Sequence, residues 1–375
     1  MNRAPLFTPF DCRGVSFRNR LIVSPMCQYQ AEKGRVNDWH YAHHARFALG
    51  GIGGAMLEAT AVLRDGRISP GCLGLWNNEQ IPGMRRLAEL YHQQGIPLGV
   101  QLGHAGRKGS SAVPWLGSGP LTADDPTPAW PTLAPSALAH TSGWPTPEAA
   151  SIEDIQQVVA AFAQAARRAV EAGLDFVEIH GAHGYLIHEF FSPLANRRSD
   201  AYGGDFAGRA RLALEVVRAV REAIPAQTPV WYRASCVDDG EGGITLDDTV
   251  RLAQLLAEQG VDLVDCSAGG IQGPVARSAT LATPGHQVPY AARIRAEARV
   301  ATMAVGLITE AQQANDVIAS GAADLVALGR ALLDDPSFAY HAALALEVTD
   351  AHELLPQSHG FFLARRQARA QGKSA

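Results

Sequence analysis

The segment His180-Gly181-Ala182-His183-Gly184-Tyr185 places two imidazoles and a phenol within six residues, separated by glycines that let the backbone come close to a ligand. Neutral imidazole is the commonest metal ligand, so His180 and His183 could hold a metal, with His188 and Glu189 as the nearest further ligands. They could equally donate hydrogen bonds to one substrate oxygen that gains negative charge, with Tyr185 as a nearby acid. The spacing alone leaves both chemistries open.

Other residues carry weaker signals. Arg233 lies in the apolar run Trp231-Tyr232-Arg233-Ala234-Ser235, where a buried cation is costly unless something anionic meets it. Gly306, in Val305-Gly306-Leu307-Ile308-Thr309, and Gly329 with Arg330 each stand between an apolar run and a helical one, where backbone N–H groups can bind phosphate. Cys27, in Ser24-Pro25-Met26-Cys27-Gln28-Tyr29, reads by itself as a small buried residue rather than a reactive thiol. The chain has only Lys33, Lys108 and Lys373, none inside an apolar run, which argues against a Schiff-base aldolase with a barrel-buried lysine.

These residues fall at the ends of eight short apolar runs that read as buried strands: Leu21–Ser24, Ala55–Ala61, Leu98–Leu102, Phe176–His180, Val230–Ala234, Leu263–Ser267, Ala301–Val305 and Leu325–Leu328. Helical spacing follows over Tyr41–Ala48, Ile81–Gln94, Ile152–Ala172, Phe206–Ala223, Leu246–Glu258, Pro289–Glu297, Glu310–Ala319 and Arg330–Leu333. Ser151 with Asp154, and Thr309 with Gln312, have capping-box spacing, while Gly173, Gly260 and Gly321 stand where helix-ending glycines belong. Eight βα alternations with continuous apolar strands predict an α/β fold, a single (β/α)8 TIM barrel over about 20–346, with a C-terminal tail over 347–375. No strand is followed by G-x-G-x-x-G or a P-loop, so an open doubly wound sheet is disfavoured. One long loop, 103–147, leaves the third strand with eight of the 22 prolines and three of the six tryptophans (Trp115, Trp130, Trp144) and no periodic segment. Such a connection is uncommon unless functional, so it is expected over the barrel mouth.

Composition sets the class. The chain has 375 residues, 47% hydrophobic and 18% charged, with 32 basic and 37 acidic side chains for a net charge of −5. That excludes a disordered chain, and the absence of basic runs argues against nucleic acid as a partner. With no uninterrupted apolar stretch of about 20 residues and no export signal, a soluble cytoplasmic protein is expected. Five cysteines at irregular spacings, without a C-x-x-C pair, argue against a disulfide framework or structural zinc.

Together the motifs resemble the old yellow enzyme family of NADH:flavin oxidoreductases. The matching segments are S-P-M-C-x-Y at Ser24, E-A-T-A-V at Glu58, Q-L-G-H-A-G-R-K at Gln101 and H-G-A-H-G-Y-L-I-H-E-F-F-S-P-L-A-N-R-R at His180. Y-G-G at Tyr202, D-C-S-A-G-G at Asp265, V-G-L-I-T at Val305 and L-G-R at Leu328 follow in order, so the resemblance runs from about Leu6 to Pro336. Cys27, the His180 and His183 pair and the Trp-rich loop resemble the thermophilic-like, xenobiotic reductase A subgroup.

The resemblance implies a tightly but non-covalently bound FMN across the barrel mouth, NADPH or NADH as reductant, and no metal. Ser24, Pro25, Met26, Cys27, Ala59 and Gln101 would line the cofactor, with Cys27 tuning its potential. Arg233 would face the N1 and C2 carbonyl edge, and Gly306, Gly329 and Arg330 would hold the phosphate. It further implies a ping-pong ene-reductase acting on α,β-unsaturated aldehydes, ketones, maleimides or related xenobiotics. His180 and His183 would clamp the carbonyl oxygen, hydride would reach the β-carbon, Tyr185 would protonate the α-carbon, and Tyr29 would line the substrate pocket. A metal-dependent barrel hydrolase using His180 and His183 is the alternative. Members of the subgroup often insert an Arg or Trp from the tail into a neighbouring subunit's site. Here the tail offers Phe361 or Phe362, expected in a homodimer or homotetramer.

Overall fold

The computed structural model describes residues 4–272 and 283–370; the end of the predicted tail, with Lys373, lies outside the described residues. The strands are β1 (Phe10–Cys12), β2 (Val15–Phe17), β3 (Leu21–Val23), β4 (Gly54–Ala61), β5 (Leu98–Gly103), β6 (Leu133–Ala134), β7 (Glu148–Ala149), β8 (Phe176–Gly181), β9 (Val230–Ser235), β10 (Leu263–Ser267), β11 (Ala301–Ala304) and β12 (Leu325–Leu328). Eight of them close a parallel barrel in the order β3, β4, β5, β8, β9, β10, β11, β12, the eight expected from the sequence. The antiparallel hairpin of β1 and β2 sends Phe17 against the Phe176 and Trp231 rings at the start of β8 and β9, with centroids 5.7 and 5.6 Å away. Ile22, Met56, Leu263, Met303 and Leu325 complete this second core.

The helices are α1 (Asp38–Ala48), α2 (Ile81–His92), α3 (Ile152–Glu171), α4 (Leu186–Phe191), α5 (Phe206–Ala223), α6 (Leu246–Glu258), α7 (Val288–Ala298), α8 (Ala311–Ala319), α9 (Arg330–Asp334), α10 (Phe338–Ala345) and α11 (Gln357–Ala370). Ser151 and Asp154 form the expected reciprocal cap, and the stripe Ile155, Val158, Phe162, Ala165, Ala169 of α3 is buried. The Thr309 and Gln312 box does not form. Glu310 is the N-cap without a side-chain bond, and Gln313 Oε1 accepts the Thr309 N–H at 3.1 Å instead. Helix α1 begins before Tyr41 because Asn37 caps it with His40 as the reciprocal acceptor, a pairing outside the usual Glu or Gln pattern. The end-of-helix glycines Gly173, Gly260 and Gly321 all have positive φ.

The long loop is not wholly irregular: it carries short 3-10 turns at Gly106–Lys108 and Pro114–Leu116 and ends in the β6–β7 pair. Trp130 anchors it, donating from Nε1 to the Asp65 carbonyl at 2.8 Å with the Arg67 guanidinium over its ring. Arg107 donates to the carbonyls of Ile271 (2.9 Å) and Leu138 (3.4 Å), tying the loops after β5 and β10 together. No helix among the described residues is long and apolar enough to cross a membrane.

Phe176 is fully buried between Phe17 and Trp231, its ring 4.1 Å from that of Trp231. Phe176→Ala should lower the unfolding free energy by about 3–5 kcal/mol, the range for a cavity left by a buried aromatic ring, measurable in urea.

Candidate active site

Residues after β8 are presented by a strained turn. His183 (φ 61°) and Gly184 (φ 72°) are both left-handed, and a Cβ on Gly184 would lie 2.0 Å from the Gly270 carbonyl oxygen, so only glycine fits. His188, one turn on, accepts the Gly184 N–H at Nδ1 (2.8 Å) and aims Nε2 at Asp238 Oδ1, 3.0 Å away. Burial alone would raise the Asp238 carboxyl. The His188 imidazole, with bonds from the Ser192 hydroxyl and the Ile244 N–H, outweighs it and holds the carboxyl below its usual value. Glu189 turns away to accept the Arg107 N–H at 3.0 Å. Neither His188 nor Glu189 therefore joins His180 and His183 as a ligand, and no metal-binding cluster of three or more His, Cys, Asp or Glu exists among the described residues.

The turn sets His180 edge-on to His183 and to Tyr185, with ring centroids 5.2 and 4.9 Å apart. Burial, then the neighbouring cations Arg233 and Lys108, pushes both imidazoles well below their ordinary range, so both are neutral at pH 7. Their hydrogen bonds fix the tautomers. His180 Nδ1 accepts the Ala182 N–H at 3.3 Å, which leaves its proton on Nε2 as a donor. His183 Nε2 lies 2.7 Å from the Ser267 hydroxyl, which donates onward to Gln287 Oε1 at 3.1 Å, so His183 donates to Ser267. Burial raises the Tyr185 phenol, which stays protonated.

The Ser24–Tyr29 segment leaves β3 at the mouth and is held by a carboxyl from β4. Glu58 Oε2 accepts the N–H of Gln28 at 3.0 Å, and Glu58 also takes the N–H of Tyr29, whose backbone is left-handed at φ 55°. Burial pushes the Glu58 carboxyl up to about 8, against the pull of those two bonds. Cys27 sits within hydrogen-bonding reach of the Ala59 backbone and the Tyr29 side chain. Burial, then Glu58, raises its thiol well above the ordinary value, so it is neutral and not a nucleophile.

Inside the barrel the strand register assembles a polar layer. Gln101 on β5 pairs with Glu178 on β8 and donates to it at 2.7 Å; Arg233 on β9 pairs with Asp265 on β10, their charged atoms 3.2 Å apart. Glu178 and Asp265 are fully buried, and burial raises both carboxyls against the pull of Arg233. The costly cation at Arg233 thus has a carboxylate partner, while its Nε keeps no hydrogen bond. Glu178 and Asp265 were missed as site residues from sequence, although the rule that flags a charge inside an apolar strand applies to both.

Two cavities separate the expected residues. Ser24, Gly306, Gly329 and Arg330 line one of about 120 Å³ at the ends of β11 and β12, where Gly306 has φ 119° and Gly329 sits against Met26 and Ser24. Tyr29 and Tyr185 line a larger one of about 600 Å³, roofed by loop residues including Pro114, His140 and Trp144. Ala59, His180 and Tyr185 share a narrow crevice beside it. The loop therefore covers the mouth, with Trp115 edge-on to Tyr29.

A barrel whose mouth joins a cationic interior, a glycine-and-arginine cradle and neutral proton donors is the architecture of a flavin-dependent oxidoreductase. The NADH:flavin oxidoreductase / NADH oxidase family matches residues 5–348. Similarity is high to an NADPH dehydrogenase of Geobacillus sp. (44% identical, covering 92% of this chain and 95% of that one) and to an NADH:flavin oxidoreductase of Gibberella zeae (41%, covering 93% and 88%). A solved morphinone reductase aligns at 25% identity with a TM-score of 0.75, covering 91% of this chain and 89% of that one. A 2-naphthoyl-CoA reductase complex shares the fold at a TM-score of 0.81 and 22% identity, covering 92% of this chain; this chain spans 53% of its length. The chain belongs to the NADH:flavin oxidoreductase / NADH oxidase family, the old yellow enzymes, and is an oxidoreductase using FMN and NAD(P)H. That membership sets aside the metal-dependent hydrolase.

The residues fit FMN. The small cavity at β11 and β12 offers an arginine, a serine and glycine backbone to a phosphate, and Arg233 supplies a buried cation within the strand layer.

Glu58 contributes stability that is fully present below its unfolded value of about 4.5 and lost as pH rises through its folded value of about 8. Glu58→Gln, which copies the protonated form, should therefore unfold with a free energy that changes less between pH 5 and 8 than the wild type. Urea titrations at both ends check this, and an unchanged pH difference would show that Glu58 is ionised in the folded protein.

Proposed function

We propose that the protein is an ene-reductase that saturates the C=C bond of α,β-unsaturated aldehydes, ketones, maleimides or related xenobiotics. The observation that carries this reading is the convergence of two neutral imidazoles and a protonated tyrosine beside a roofed cavity of about 600 Å³. Bound FMN, once reduced by NAD(P)H, supplies hydride to the β-carbon. Gly306, Gly329, Arg330 and Ser24 would hold its phosphate, Pro25, Met26, Cys27, Ala59 and Gln101 its ring system, and Arg233 the ring edge that gains negative charge.

The remaining work belongs to side chains. His180 donates from Nε2–H to the substrate carbonyl oxygen, drawing electron density from the alkene. A second bond, from His183 Nδ1, requires the Ser267 hydroxyl to turn from Gln287 and donate to His183 Nε2, which frees the imidazole proton for the other nitrogen. Tyr185 delivers its phenolic proton to the α-carbon and regains one from water. Tyr29 and the loop exclude bulk solvent.

Anaerobic reduction with NADPH followed by reoxidation with cyclohexenone tests the reading; failure of the enone to reoxidise the enzyme rejects it. Tyr185→Phe should slow the oxidative half-reaction by about a hundredfold or more while sparing flavin reduction, as loss of a general acid predicts. His180→Ala should weaken binding of phenols and enones by about tenfold, the worth of one hydrogen bond. Equal losses in both half-reactions of Tyr185→Phe would contradict the proton-donor role.

The same reading places Phe361 or Phe362 of one subunit at a neighbour's mouth in a homodimer or homotetramer. Both rings are exposed on α11, at 54% and 69%. Truncation after Pro356 should raise KM for the enone and reduce the assembly size in light scattering. Unchanged values of both would reject the shared site.

A further inference from the structure

Lys108 stands at the end of the 3-10 turn after β5, under the roof of the mouth cavity. Its ammonium donates to the carbonyl oxygens of His183 at 2.7 Å and Gly270 at 3.1 Å, and lies 5.1 Å from the centre of the Tyr185 ring. An ammonium has three donors, and these bonds use two of them. Among the described side chains lining the cavity, Lys108 is the one with a formal charge: hydroxyls of Ser111, Ser118 and Thr141 line the same cavity, and no described Asp or Glu does. His140, which also lines the cavity, is neutral because burial and then the charges of Lys108 and Arg107 push its imidazole down to about 4. Glu189, whose charge acts on Lys108, is bonded to the Arg107 N–H and itself raised to about 8 by burial. The cavity beside Tyr185 therefore carries a positive charge with a third N–H and, among the described residues, no counter-ion on its lining. A buried cation so placed is costly unless an anion meets it.

We propose that Lys108 forms an anion subsite in the mouth cavity and that this enzyme prefers enone substrates carrying a carboxylate. The proposal rests on the ene-reductase reading for its reactive group, but not for its binding energy. A carboxylate reaching the third N–H gains a charge-assisted hydrogen bond inside a cavity screened by the loop, whereas a neutral ester of the same shape gains none. Two carbonyl bonds hold the ammonium in place, so the subsite is formed before substrate arrives. Burial lowers the lysine to about 8, so it is charged at pH 7.

The test uses the FMN-loaded enzyme at pH 7 with a cyclohexenone bearing a carboxymethyl arm and with its methyl ester. The acid should show kcat/KM about tenfold above the ester, the worth of one charged hydrogen bond. Lys108→Met should bring the ratio of acid to ester close to one, whatever it does to both rates together, since a general loss cancels in the ratio. Lys108→Gln, which keeps a donor for the carbonyls and removes the charge, should do the same and serves if the methionine variant does not fold. Equal rates for acid and ester in the wild type, or a preference that survives loss of the charge, would overturn the proposal. Calorimetric titration with the saturated acid and the saturated ester reads the subsite without turnover. Tighter binding of the acid with no reduction of either enone would uphold the subsite and reject the ene-reductase reading. Reduction of both enones with no difference in binding would do the reverse.

Discussion

Arg233 is a cation inside a β-barrel, and much of the site is arranged around that cost. An unpaired guanidinium there is untenable, so the register of four neighbouring strands brings Asp265 beside it and Glu178, bonded to Gln101, onto the same polar layer. Two carboxyls for one cation, all buried, cannot both hold full negative charge cheaply, and both are shifted toward their protonated forms. With both carboxyls shifted that way, the layer keeps the positive charge of Arg233. Under the proposed function, such a layer would suit a flavin ring edge that gains negative charge, because the cation is already fixed in place.

The turn that presents His180, His183 and Tyr185 depends on backbone strain. The left-handed His183 and Gly184 would relax if free, and they are held by His188 and Asp238 on one side and by Lys108 on the other. Glu58 does the same for the left-handed Tyr29. In each case an ionisable group bonds to the backbone of the strained residue or its neighbour. Burial keeps neutral the two imidazoles, the phenol and the thiol that the proposed function draws on.

The mouth loop connects these parts. Arg107 ties it to the segment after β10, Trp130 to the segment after β4, and Trp115 to Tyr29. Strain at the turn, the position of Tyr185 and the shape of the cavity are consequently linked through one stretch of chain. The tail is less committed: α11 packs on the short turn Ala351–Leu354 and leaves Phe361 and Phe362 exposed.

The barrel was legible in the sequence because its signal is repetitive. Eight apolar runs, each followed by helical spacing, admit few other folds, and strand ends then name His180, His183, Tyr185 and Arg233 directly. Caps were legible where chemistry is local, as at Ser151 with Asp154, and failed at Thr309, where Gln313 competes for the same N–H. What spacing could not decide was which polar groups meet across strands. Asp265 as the partner of Arg233, Asp238 as the partner of His188, and Glu58 as the support of Tyr29 join residues 32, 50 and 29 positions apart. Their meeting depends on barrel register and loop path, which no local pattern encodes. Where His188 and Glu189 point was open in the sequence for the same reason, and the fold turns them to Asp238 and to the Arg107 N–H. Residue types by themselves determined the barrel and the candidate chemistry, while the tertiary structure decided protonation, because burial and long-range partners set the charge of each group.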